Sequence, residues 1–130
     1  MTALLCTRQA EGAHCRYACI AYDGLKDLYK LFIDGEKVDS GSWAGDNAVV
    51  PVRPNGLNYL GQDQDSLGGG FNGRQSWSGE ITQFNIWDFA LEDYSIENGA
   101  ECRSDILGNI QKWDEAMWVV NDVSIVCLKV

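Results

Sequence analysis

The sequence predicts an all-β fold, an antiparallel sandwich with one short helix. Three observations carry this reading. Short β-prone runs are separated by turns rich in Gly, Asn and Asp. An Asp34-Gly35 pair stands between two such runs, the pattern a type I′ hairpin turn demands because both central residues take positive φ. The stretch Trp77 to Asp88 alternates between two faces, with apolar residues on both towards its end, as in a strand covered by a second layer.

Taken in chain order, residues 1–14 show no clear period. Cys15 to Tyr22 is apolar and aromatic and suits a buried strand, and Asp23-Gly24 marks a turn. Leu28, Tyr29, Leu31, Phe32 and Ile33 form the next run, and Glu36-Lys37-Val38 returns after the hairpin. Residues 39–48 have loop composition. Val49 to Val52 leads to a turn at Pro54-Asn55-Gly56, and Leu57 to Leu60 reads as a strand. Residues 61–76 make a long, polar, Gly-rich loop, of a length that compact domains reserve mostly for function or disorder. Leu91, Tyr94 and Ile96 give a short apolar stripe, which places the helix near residues 90–98 with Gly99 as its stop. Met117 to Val120 and Val123 to Val130 are later apolar runs.

With 130 residues and 45% hydrophobic content, the chain is long and apolar enough for one packed domain. A net charge of −9 with scattered basic residues excludes a phosphate-backbone partner, so no nucleic acid is expected. No apolar run reaches the length of a transmembrane segment, and the N-terminus lacks the charge and length of a secretory signal. Five cysteines, Cys6, Cys15, Cys19, Cys102 and Cys127, point to an oxidising compartment. From spacing alone, disulfides and buried free thiols are both open. A zinc site finds no second close Cys or His pair, since His14 is the single histidine. Disulfide-type composition without a signal peptide suits a piece of something longer.

The loop Gly61 to Gln75 holds the chemistry. It offers the carboxylates of Asp63 and Asp65, the carbonyls of Gln64, and the amide oxygens of Asn72 and Gln75, among glycines. Calcium takes six to eight hard oxygen ligands in irregular geometry, which such a loop can supply. A solvated acidic loop has the same composition, so residue types leave both readings open. Two formal motifs fail. An EF-hand starting at Asp63 would place Leu67 and Arg74 where calcium needs oxygens. A dinucleotide fingerprint at Gly68 to Gly73 would need a helix, and a β pattern follows. Catalysis lacks a constellation. His14 stands alone beside Cys15, and Glu80 has Thr82 and Phe84 where a sandwich glycosidase would carry its second carboxylate. The five Trp suit core packing first and sugar stacking second.

Four segments together resemble the pentraxin family. Leu60-Gly61-Gln62-Asp63-Gln64-Asp65-Ser66-Leu67-Gly68-Gly69-Gly70-Phe71 is similar to its I-L-G-Q-E-Q-D-S-x-G-G-x-F. Gly79-Glu80-Ile81-Thr82-Gln83-Phe84-Asn85-Ile86-Trp87-Asp88 is similar to G-E-[IL]-x-x-[FV]-N-[IM]-W-D. Phe32 to Lys37 resembles the family hairpin. Cys102 with Gly108-Asn109-Ile110 and Trp113 resembles the C-x(n)-G-N-[IV]-x-x-W of neuronal and receptor-linked pentraxin domains. The resemblance covers about residues 16–127.

The resemblance implies a two-sheet jelly roll with one helix on one face, and a pair of calcium ions bridging to phosphorylated or anionic ligands. By position, Asp63 and Asp65 match calcium carboxylates, Gln64 a backbone-carbonyl ligand, and Gln75 a side-chain ligand of the second calcium. Asn72 stands where the family has a bridging Glu. A neutral amide there implies a second ion held weakly or not at all. Of the family signature H-x-C-x-[ST]-W-x-[ST], the aligned Tyr17 to Gly24 retains Cys19 alone. The family partner of that Cys lies in an N-terminal half that this sequence lacks, since a whole domain has about 200 residues. Cys19 is therefore an orphan or pairs with Cys6 or Cys15, while Cys102 and Cys127 match the downstream bridge of the neuronal type. The expected organisation is a non-homologous segment, 1–14, and a truncated pentraxin domain, 15–130.

The functional expectation is an extracellular, secreted, lectin-like module. It recognises glycans, phosphorylated head groups or proteins through calcium, without catalysis, and is open to homo-oligomerisation. The alternative is a calcium-free structural or protein-interaction domain of a larger adhesive protein or receptor. A glycan-active enzyme on a related sandwich ranks third.

Overall fold

The computed structural model describes residues 1–8, 15–43, 55–99 and 107–120; for residues 2–8 and Cys15 the description is of the backbone. Five strands run in chain order: β1 (Thr2–Arg8), β2 (Cys15–Asp23), β3 (Leu28–Ile33), β4 (Glu36–Gly41) and β5 (Glu80–Trp87). One 3-10 turn, Gly73–Gln75, and one helix, α1 (Asp93–Asn98), complete the regular structure among these residues. The strands form a single antiparallel sheet in the order β4-β3-β2-β1-β5.

The β3–β4 hairpin follows its sequence signal. Asp34 and Gly35 have φ of 52° and 83°, the two positive values a type I′ turn requires, and Ile33 pairs with Glu36 across it. Asp34 fixes the turn to the sheet: its Oδ1 accepts from Tyr17 N at 3.0 Å and its Oδ2 pairs with Arg16. The accepted backbone N–H, with the guanidinium, holds its carboxyl below the usual carboxylate range. The Asp23-Gly24 turn is also present, with Asp23 Oδ1 accepting from Leu25 N at 3.1 Å.

Two elements differ from the sequence reading. The unpatterned N-terminus forms β1, which pairs with β2 on one side and β5 on the other. Its place is set by backbone hydrogen bonding on both edges rather than by a side-chain period. The predicted strand at Leu57 to Leu60 does not form: Leu57 O accepts from the Gln64 side chain at 2.9 Å, so its backbone serves the following loop.

A bulge interrupts β5. Between Leu4 and Cys6 of β1 the register jumps from Asn85 to Thr82, and Gln83 takes a φ of 56°. The alternation breaks there, and Phe84, Asn85, Ile86 and Trp87 are all buried in succession.

The core lies on one sheet face. Tyr17, Cys19 and Ala21 from β2, Phe32 from β3 and Trp87 from β5 pack with Ile96 of α1, and Leu91 closes the cluster. Helix α1 is short, so the sheet must hold it. Lys30 and Lys37 both reach Asp93 in its first turn, at 2.5 and 3.4 Å. Gly99 ends the helix at a φ of −79°, in the right-handed region, so its left-handed freedom is not used. On the opposite face Ile20 is 43% exposed and Ala18, Leu31 and Ile33 are half-buried. Aromatic residues cover the two ends of that face: Trp43 lies over Tyr22 and Tyr29, and Trp118 over Phe84.

Candidate metal centre

The loop Leu57 to Trp77 is built on its own hydrogen bonds. Trp77 N donates to Gly61 O at 2.9 Å and closes its base. Ser66 and Gly69 exchange backbone hydrogen bonds of 3.2 and 2.9 Å around Leu67-Gly68, with Gly68 at a φ of 75°. Gly70 shares that φ, and a Cβ there would stand 2.7 Å from Asp65 Cβ, so only glycine admits this approach. Leu57, Tyr59 and Phe71 wrap the loop, with the Tyr59 and Phe71 rings 4.9 Å apart.

The structure brings together part of the predicted ligand set. Gln75 Nε2 donates to Asp63 Oδ2 at 3.1 Å, joining residues twelve apart in sequence. Asp65 is held beside Gly70 and exposed to solvent. The Gln64 side chain is committed to the loop itself: Nε2 donates to Leu57 O at 2.9 Å, and Oε1 accepts from Gly68 N at 3.0 Å. That bracing role had no local signal in the sequence. Asn72 is likewise engaged, its Oδ1 accepting from Arg74 N at 3.0 Å to cap the 3-10 turn.

The donor chemistry fits a hard cation. Asp63, Asp65 and Gln75 supply carboxylate and amide oxygens on one loop, and a cation between Asp63 and Gln75 would replace a hydrogen bond already joining them. Asn72 fits less well, because its oxygen serves the turn. No group of three or more His, Cys, Asp or Glu side chains converges among the described residues, so any site here draws on amides and carbonyls as well.

Cys19 is a free thiol in the core, and burial pushes its pKa up to about 12. The register sets Leu4 and Phe32 across from it, whereas Cys6 stands opposite Tyr17 and Cys15 opposite Arg8. No cysteine therefore faces Cys19 directly in the sheet. The expected Cys102–Cys127 pair and His14 lie outside the described residues. No helix among the described residues is long and apolar enough to cross a membrane.

Among the described residues one antiparallel sheet with a short helix on its core face is present, where two sheets were expected, and this sheet and helix match the fold of a pentraxin, a β-sandwich. The native heptameric SAP-like pentraxin of Limulus polyphemus superposes with a TM-score of 0.68 at 24% identity, over 91% of this chain and 54% of that one. The model of the Pentaxin family matches residues 3–127, so the chain belongs to that family. Among curated relatives, the human neuronal pentraxin receptor is 38% identical over 78% of this chain. Mouse neuronal pentraxin-2 is 38% identical over 75% of it. The chain spans about a fifth of the length of these relatives, 20% and 22% respectively.

Proposed function

We propose that this chain is a calcium-dependent, extracellular recognition module of pentraxin type, non-catalytic, that binds phosphorylated head groups, glycans or proteins. The observation that carries this reading is the contact between Gln75 and Asp63, which joins the two ends of the acidic loop at the positions that resemble family ligands. Asp63, Asp65 and the Gln64 backbone carbonyl hold one ion, and Gln75 stands at the position of a side-chain ligand of a second. Asn72 weakens or abolishes that second site. A neutral donor in place of a carboxylate lowers the attraction for a divalent cation, and affinity in such sites follows the count of charged ligands.

Calorimetric titration of the protein with calcium, with EGTA as control, tests this. One weak site is expected, of order 10⁻³ M as in extracellular modules. At 10 mM calcium such a site raises stability by about 1.4 kcal/mol, seen as a higher Tm. Asp63→Asn with Asp65→Asn removes both signals. Absence of heat and of any calcium-dependent Tm shift in the parent protein would falsify the reading.

A second reading is a calcium-free protein-interaction domain. It is favoured by the way the Gln64 and Asn72 side chains satisfy the loop internally. It predicts partner binding indifferent to EGTA.

A further inference from the structure

We propose that Trp43 and Asp39 form a docking platform for an arginine of an extended basic protein segment, separate from the acidic loop. Tyr22 and Tyr29 are cross-strand partners on β2 and β3, so their rings stand side by side on one sheet face. The Trp43 indole rests on both, with ring centroids 4.8 and 5.2 Å away and planes 31° and 17° apart. Tyr22 beneath it is 3% exposed, yet Trp43 is 60% exposed. The indole face turned away from the tyrosines is therefore the one presented outwards.

The stack is held from below. Asp27, 3% exposed, accepts from Tyr22 Oη at 3.2 Å with one carboxylate oxygen and from Ser42 Oγ with the other. One buried carboxylate thus fixes both a supporting ring and the residue that precedes Trp43. Tyr29 Oη donates to Asp39 Oδ2 at 3.0 Å, which also raises the Tyr29 pKa. Gly41 lets the Tyr29 ring lie against β4, since a Cβ there would stand 3.1 Å from Tyr29 Cε1. A rigid aromatic surface loses little entropy on binding.

Charge selects the ligand. Asp39 is exposed, and its charge meets no cationic side chain among the described residues. Lys26 is paired with Asp23, and Lys30 and Lys37 are drawn to Asp93 on the helix side of the sheet. With a chain charge of −9, an anionic ligand is repelled here and a cation attracted. Indole is the strongest aromatic face for a cation, and a planar guanidinium stacks on it while pairing with a neighbouring carboxylate.

The test is a nine-residue peptide of alternating Ser and Arg, titrated in EGTA into the intact protein and followed by the Trp43 indole N–H resonance and by calorimetry. The matched control replaces each Arg with citrulline, which keeps the shape and removes the charge. Binding of the arginine peptide at least roughly tenfold tighter than the citrulline peptide, with the Trp43 resonance shifted, is expected. Trp43→Ala should lower affinity about tenfold and Asp39→Asn about threefold. Equal binding of the two peptides overturns the proposal, as does an arginine affinity unchanged by Trp43→Ala. A neutral oligosaccharide that shifts Trp43 where the arginine peptide does not also overturns it, by making the platform a sugar site. Because the titration runs without calcium, it stands or falls independently of the acidic loop.

Discussion

Removing the Asn85 side chain should unlatch residues 108–113 from β5. Asn85 is fully buried, and its amide joins three backbone groups. Its Nδ2 donates to Gln83 O at 3.1 Å, while its Oδ1 accepts from Gly108 N at 3.1 Å and Trp113 N at 3.3 Å. In Asn85→Ala the buried Gly108 N–H loses its acceptor, which costs about 1–3 kcal/mol. The partly buried Trp113 N–H and the Gln83 carbonyl add about 1 kcal/mol together, and the vacated volume about 1 more. The expected loss is therefore about 3–5 kcal/mol, or a fall in Tm on the order of 10–20 °C for a domain of this size. Urea unfolding followed by far-UV circular dichroism measures the total. Tryptophan fluorescence reports the latch itself, because Trp113 and Trp118 pack 5.0 Å apart at its end. Asn85→Asp keeps the two acceptor contacts but buries a charge and loses the donor, so it should be at least as damaging at pH 7 and partly recover in acid. A loss below about 1 kcal/mol in Asn85→Ala would refute the assignment of Asn85 as the latch.

Other consequences are open to simpler tests. Lys30, then Lys37, hold the Asp93 carboxyl below its ordinary range. Its folded pKa is thus depressed, so its stabilisation is present above the unfolded pKa of about 3.9 and fades as pH falls through the lower folded value. Asp93→Asn should cost about 0.5–1 kcal/mol at pH 7, discounted for partial exposure, and should flatten the acid limb of stability against pH; an unchanged limb contradicts this. Cys19, buried with its thiol pushed up to about 12, should resist alkylation at pH 8 until denaturant is added. Peptide mapping that finds it modified within minutes in the native state would count against the core assignment. Gly70→Ala, with a Cβ 2.7 Å from Asp65 Cβ and a positive φ, should displace Asp65 and weaken calcium uptake more than it lowers Tm. Equal calcium heats in parent and variant would separate Gly70 from the site.

What the sequence disclosed were features whose chemistry is local. Asp34-Gly35 announces its turn because few residue pairs accept two positive φ values. The acidic loop was visible because carboxylates, amides and glycines are adjacent in the chain. Features that depend on a distant partner were hidden. β1 has no period of its own, and its place between β2 and β5 comes from their two free edges. The Gln83 bulge had no signature, since glutamine is not a residue that asks for positive φ. Gln64, aligned with a ligand, turned out also to brace the loop through its side chain, because its partners lie seven residues before and four after it.

That bulge explains why two separate motifs of the chain belong together. By adding a residue to β5 it breaks the strand's alternation, and Asn85 becomes buried between two buried apolar neighbours, Phe84 and Ile86. A buried amide in that position needs partners, and the segment with Gly108, Asn109 and Trp113 provides them. Gly108 must be glycine, because a Cβ would overlap the Gln111 carbonyl oxygen and the Ile86 backbone. Asn109 completes the seam: its Oδ1 accepts from Asp88 N at 3.1 Å and its Nδ2 donates to Asp88 Oδ1 at 2.8 Å. Ile86 N donates to Gln111 O at 3.0 Å, and Ile110 N to Ile86 O at 3.0 Å. The Asn85-Ile86-Trp87-Asp88 run and the Gly108-Asn109 run are two halves of one joint. Altering either half should produce the same loss, and altering both should cost far less than the sum.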